Sequence, residues 1–182
     1  ITDQSSKDMA CSVSPKAPAI VAPVRAGAGI KFNWNPWYAS HKGPLISYMA
    51  PYEGSIQSVD VNKLKFFKIS ESGLAADNKT WAVDEMMANG NVSSTVIPFD
   101  LKPGNYVLRH ELIALHYSTE DRYFSQHYIH CFNVRVEGSG AAQPSDTVVF
   151  PGGYKPFKQE RGLYFDIWRN VSPYPIPGPE LY

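Results

Sequence analysis

No stretch of this 182-residue chain comes near the about 18 consecutive apolar residues that a membrane-crossing helix needs. Charge of one sign is equally lacking in excess, since 17 Lys and Arg balance 17 Asp and Glu. That balance removes the electrostatic footprint of a protein that binds nucleic acid or an acidic membrane surface, so neither is an expected partner. Cysteine is scarce. Cys11 and Cys131 alone allow either one bridge or two buried free thiols, and if joined they close a loop worth about 4 to 5 kcal/mol in the chain-entropy model. The first residues, "ITDQSSKDMAC", contain no Met, no basic leader and no apolar leader core, as expected of a processed product or a fragment.

The common catalytic signatures are missing too. There is no GxSxG elbow, no Walker glycine loop and no GxGxxG turn, which leaves hydrolase, nucleotide and dinucleotide readings without support. "RHELIALH" fails as a zinc-protease HExxH because Ala114 stands where the second histidine belongs. Paired carboxylates for glycoside hydrolysis remain open, because their separation is spatial.

What the chain has in quantity is strand-like sequence between breakers. Fifteen prolines and 13 glycines punctuate segments rich in β-branched and aromatic residues: "GIKFNW", "PLISYMA", "LKFFKIS", "STVIPFD", "NYVLRHELIALH", "YIHCFNVRVEG" and "GLYFDIW". One short helix is expected in "WAVDEMMANG", with Thr80 as N-cap and Asn89-Gly90 as its stop. The pattern predicts an all-β fold, an immunoglobulin/fibronectin-III-like antiparallel β-sandwich with long loops and one short helix, as a single domain over residues 1–182. "SPYPIPGPELY" is too rich in proline for a central strand and should run extended over the surface.

Strand alternation groups the polar residues. In "YVLRHELIALH", Leu108, His110, Leu112, Ala114 and His116 share one face, opposite Val107, Arg109, Glu111, Ile113 and Leu115. The second face mixes charge with apolar bulk, so the pattern does not settle its burial. In "SQHYIHCFNVRVEG", Gln126 and Tyr128 point the same way, as the edge of a site or as a strand end meeting water. Asn78, Asn91 and Asn170 each begin a glycosylation sequon, giving mild support for export.

"SHKGPLISYMAP", "LKFFKISESGL", "TWAVDEMMANG", "STVIPFDLKPGNYVLRHELIALH", "SQHYIHCFNVRVEGSG" and "YPIPGPELY", in this order, resemble the fungal lytic polysaccharide monooxygenases of auxiliary activity family nine, from about Asp8 onward. The resemblance implies a secreted, extracellular, monomeric β-sandwich that holds one copper ion on a flat face, takes electrons from an external donor and attacks cellulose or a related polysaccharide. It implies that His41 is a copper-ligating imidazole and Tyr128 the axial tyrosine. Gln126 and His116 then match the supporting glutamine and the histidine that positions an oxygen species, and Tyr174 an aromatic of the polysaccharide-binding face. It also implies that Cys11 pairs with Cys131. The chemistry agrees, since imidazole suits copper and a distal phenol suits a weak axial contact. His127 and His130, where relatives vary, are expected to be solvated or at the sheet edge.

Two departures stand out. Tyr52 occupies a position where many relatives carry a cysteine, so a local bridge should be missing. The family's other nitrogen ligands come from an N-terminal histidine, and no histidine precedes His41. The family's first strand is therefore expected to lie outside this sequence, and no carbohydrate-binding module is expected after "PELY". Two readings follow: an enzyme whose histidine-bearing segment lies upstream of Ile1, or a shortened, inactive relative acting as a polysaccharide-binding or cell-wall interaction protein. A noncatalytic adhesion or inhibitor domain has only the fold behind it.

Overall fold

Strand-forming segments rich in Val, Ile, Tyr and Phe become seven strands in the computed structural model, which describes residues 1–13, 20–169 and 173–182. They are β1 (Ala22–Arg25), β2 (Gly29–Asn33), β3 (Leu45–Tyr52), β4 (Phe67–Ser72), β5 (Val92–Val96), β6 (Gly104–Ala114) and β7 (Gln126–Glu137), with one α-helix, α1 (Ala82–Ala88), and four single turns of 3-10 helix among the described residues. Five strands form a sheet in the order β1-β7-β6-β3-β4, and β2 pairs with β5 in a second sheet. All pairings are antiparallel except the edge pair β1/β7, which is parallel. The predicted β-sandwich is thus antiparallel apart from that edge pair. No helix among the described residues is long and apolar enough to cross a membrane.

Both faces of the large sheet are covered. On one face Met49, Phe67, Ile69, Leu108, Val134 and Val136 meet Phe32 of β2. On the other, Ile46, Tyr48, Val107, Ile113 and Ile129 lie under the N-terminal segment, α1 and the chain around Phe150 to Phe165. A strand buried on both faces loses its two-residue burial rhythm. Residues 107–115 are accordingly all buried, Arg109 and Glu111 included.

Two ionisable groups are thus enclosed and must be matched. Arg109 Nη1 donates to Glu111 Oε2 at 2.6 Å, while Nε and Nη2 donate to the carbonyls of Met9 and Ala10 at 2.9 to 3.3 Å. The guanidinium lies 4.0 Å from the Phe150 ring centroid. Glu111 Oε1 accepts from His127 Nδ1 at 2.6 Å, and Oε2 also accepts from the Tyr154 hydroxyl. Burial alone would raise the Glu111 carboxyl, but Arg109 and then His127 outweigh it and hold it at about 2. His127, expected to be solvated or at the sheet edge, is instead buried, with its ring held by Glu111 diagonally across the strand pair.

On the opposite face His110 is enclosed between two hydroxyls, Ser47 Oγ at 2.9 Å from Nδ1 and Ser93 Oγ at 2.8 Å from Nε2, with Phe32 stacked 3.9 Å away. Ser93 Oγ also accepts from Trp34 Nε1 at 3.0 Å, which ties the His110 pocket to the β2–β3 loop. Burial, reinforced by His130 and Arg109, pushes the ring down to about 3 from 6.5. The folded state therefore binds fewer protons than the unfolded chain as pH falls through that interval. Its contribution to stability is complete above about pH 6.5 and is lost at up to about 1.4 kcal/mol per pH unit below it. Melting curves of the native chain should fall steadily from pH 6.5 to 4.5, before Glu111 enters. His110→Gln should flatten that slope, and equal slopes would remove this assignment.

Other local expectations are revised. "GLYFDIW" forms turns rather than a strand, and β1 was not foreseen. Helix α1 begins after Trp81, whose amide donates to Asp84 Oδ2 at 3.0 Å, while the Thr80 hydroxyl is taken by Asp77 at 2.6 Å. The described part of the proline-rich end, residues 173–182, forms no central strand, as expected, and meets the sheet at Lys68 through a bridge to Leu181 and a hydrogen bond from Lys68 Nζ to Pro177 O at 3.1 Å. Cys11 and Cys131 form a disulfide.

Candidate metal and polysaccharide site

The site lies where the β2–β3 loop crosses the end of β6 and the start of β7. Register supplies half of it: Leu112 faces Tyr128 and Ala114 faces Gln126, so His116, two residues beyond Ala114, continues toward the same corner. The loop supplies the rest. Ile113 N donates to Pro44 O at 3.1 Å and Leu115 N to Lys42 O at 2.8 Å, which draws His41 against the strand end. Gly43 makes that approach possible, because a β-carbon there would sit 1.9 Å from Ile113 O.

His41 and His116 consequently pack with ring centroids 4.0 Å apart, and Tyr128 lies 6.2 Å from His41. Tyr128 donates its hydroxyl proton to Gln126 Oε1 at 3.0 Å. That bond fixes the carboxamide with its NH2 group turned elsewhere, free to donate. Trp37 lies edge-on to both Tyr128 (4.8 Å) and His41 (5.8 Å), and its Nε1 donates to His41 O at 3.2 Å. Burial lowers the His41 ring and, with His41 and Arg122 nearby, also lowers His116, so both favour the neutral form that binds metals. Burial raises the Tyr128 phenol, which keeps its proton and remains a weak donor.

A copper ion would fit these groups in kind. Neutral imidazole is a copper donor, and the buried His116 Nδ1 has no partner among the described residues. In number the donors fall short, since no three of His, Cys, Asp or Glu converge among the described residues.

Other expected residues scatter. Tyr174, expected on an open face, is partly buried: it packs edge-on against Trp81 and Phe165, and its hydroxyl donates to Gly162 O at 2.7 Å. Two unforeseen aromatics stand beside the histidines instead. Tyr38 is 71% exposed with its ring 5.3 Å from His41, and Trp168 is 64% exposed with Nε1 donating to His116 O at 3.3 Å. His130 is exposed against Trp34, as expected. Asn78 is exposed in a turn, Asn91 is half-buried, and Asn170 lies outside the described residues.

Fold and site together define a β-sandwich protein with an imidazole, phenol and carboxamide centre at one corner, flanked by exposed aromatic rings. The chain belongs to Auxiliary Activity family 9 (formerly GH61), whose model matches residues 1–174 and so begins before Asp8. It is 43% identical to an AA9 family lytic polysaccharide monooxygenase A from Geotrichum candidum, covering 100% of this chain and 61% of that protein. Its identity to a monooxygenase B from Aspergillus fumigatus is 44%, and to a monooxygenase A from Thermoascus aurantiacus 40%. The chain spans 72% and 79% of those two proteins. Among solved structures, a glycoside hydrolase family 61 member from Hypocrea jecorina superposes with a TM-score of 0.92 at 33% identity, over 100% of this chain and 80% of the other.

Proposed function

We propose that the protein is a secreted, copper-dependent monooxygenase that cleaves cellulose or a related β-1,4-glucan oxidatively at C1, C4 or both. The observation that carries this reading is the convergence of His41, His116, Gln126 and Tyr128 at one corner of the sheet. Family membership supports the reaction class, and the Cys11–Cys131 bridge supports an oxidising compartment. His41 would hold the copper with Tyr128 as its neighbour, and the ligand set would be completed by nitrogen donors outside the described residues. Bound there, copper supplies one-electron chemistry, fed by an external donor, for oxidation of a sugar C–H bond. His116 gives or takes a proton at Nδ1, and the Gln126 NH2 donates a hydrogen bond into the same space. Tyr38 and Trp168 offer exposed ring faces on which pyranose rings can stack.

The shortfall of metal donors among the described residues favours a second reading, polysaccharide binding without redox chemistry. One experiment separates the two. The native secreted protein is incubated with swollen cellulose, Cu(II) and ascorbate, and soluble products are identified by mass spectrometry. Oxidised oligosaccharides, abolished by a chelator and by His41→Ala, are expected. In the same variant Cu(II) affinity should fall by at least the about 10- to 100-fold that loss of a supporting group costs such sites. Cellulose binding without oxidised products would establish the second reading, and no binding at all would leave only an adhesion or inhibitor domain.

A further inference from the structure

The loop that carries His41 is fastened at two points to helix α1 and the residues that follow it. Before the histidine, Asn91 takes hold of the loop twice: Trp34 N donates to its backbone carbonyl at 2.9 Å, and Trp37 N donates to its side-chain Oδ1 at 3.1 Å. After the histidine, Lys42 forms an ion pair with Asp84 on α1. Trp37 then passes the constraint on, because its indole lies against Tyr128 and His41 and its Nε1 donates to the His41 carbonyl.

Asn91 is itself held. Gly90, at φ 70°, donates its amide to Met87 O at 3.1 Å and Asn91 donates to Met86 O at 2.9 Å, which together close the C-terminus of α1 in a Schellman arrangement. Asn91 has φ 63°, in the left-handed region that asparagine tolerates better than most residues with a Cβ. The position therefore asks for two things in one residue, tolerance of positive φ and a short side-chain acceptor. Asparagine and aspartate meet both, glycine meets only the first, and alanine meets neither.

We propose that α1 is a splint for the His41 loop and that Asn91 is its positioning residue, with Asp84 as the second point of attachment. Asn91-Val92-Ser93 reads as a glycosylation sequon, but in the fold the Asn91 carboxamide is engaged with Trp37 and Ser93 is engaged with Trp34 and His110. The carboxamide oxygen thus serves the loop. This inference rests on the reading of His41 as a ligand, yet its test begins with readouts that need no metal.

The variants Asn91→Gly, Asn91→Ala and Asn91→Asp are made in the full chain and compared by NMR without metal. In Asn91→Gly, which keeps the backbone conformation, amide exchange at Trp37 should accelerate and the His41 ring and Trp37 indole resonances should move. Asn91→Asp should restore them, and Asn91→Ala should add a drop in thermal midpoint. A merely structural role in capping α1 would lower the midpoint and leave the His41 ring resonances of Asn91→Gly in place, which would overturn the proposal. Cu(II) titration of the same proteins then shows whether the loop's order reaches the metal, with an affinity loss of about 10- to 100-fold expected for Asn91→Gly. If native protein binds no copper, the monooxygenase reading fails while the NMR result still decides the splint. If native protein binds copper and Asn91→Gly binds it equally well, the splint fails as a positioning device.

Discussion

Glu111→Ala should cost about 3 to 5 kcal/mol of stability, the usual range for removing one partner of a buried ion pair. Glu111 is fully buried and accepts three hydrogen bonds, from Arg109, His127 and Tyr154. Truncation keeps the Arg109 charge inside the protein with only the Met9 and Ala10 carbonyls as acceptors, and leaves His127 Nδ1 without its partner. For a domain of this size that loss corresponds to a thermal midpoint lower by roughly 6 to 20 °C. The effect should reach the site, because His127 lies between Gln126 and Tyr128 on β7 and its ring is what the network grips. The double variant Arg109→Met/Glu111→Leu separates charge from packing. It removes both charges while filling the space, so its midpoint should lie above that of Glu111→Ala. A Glu111→Ala midpoint within about 2 °C of the native one would show that the pair is not a stabilising element.

Much of the architecture was legible because it depends on local rules. Six of the seven strands and α1 coincide with segments whose β-branched, aromatic or helix-forming residues end at Gly, Pro or Asn. The failures share a cause, which is that sequence alternation reports one covered face and the sheet here has two. Arg109 and Glu111 looked ambiguous because charge inside a sheet becomes favourable only with the N-terminal carbonyls and Tyr154 folded over it. "GLYFDIW" has strand composition, but Leu163 and Phe165 use it to plug the core rather than to pair. Strand propensity measures fitness for a half-buried surface, not commitment to a ladder.

The site divides along the same line. His41, His116, Gln126 and Tyr128 were visible as motif residues, and strand register brings the last three to one corner. Tyr38 and Trp168 carried no signal of their own, and Asn91 carried only that of a sequon: an aromatic residue or an asparagine in a loop is ordinary until the chain packs. Tyr174 was visible through its sequence neighbours, while its packing against Trp81 and Phe165 appears only in the fold.

Replacing both cysteines, Cys11→Ser and Cys131→Ser, should cost about 4 to 5 kcal/mol, because the bridge closes a loop 120 residues long and so removes much of the unfolded chain's freedom. The bridge also fixes the N-terminal segment to β7, three residues beyond Tyr128. Arg109 holds that same segment by the Met9 and Ala10 carbonyls, directly before Cys11. The two devices therefore share one object, and their losses should not add. Once the bridge is gone, a segment that has come away from β7 no longer depends on the Arg109 and Glu111 network. Urea titrations of the cysteine double variant, Glu111→Ala and their combination form a closed cycle. A combined loss smaller than the sum by about 0.5 to 3 kcal/mol is expected for coupled groups. Strict additivity would mean that the disulfide acts through the unfolded state alone and that the guanidinium holds the segment independently. A cysteine variant as stable as the native chain would contradict the loop-closure account itself.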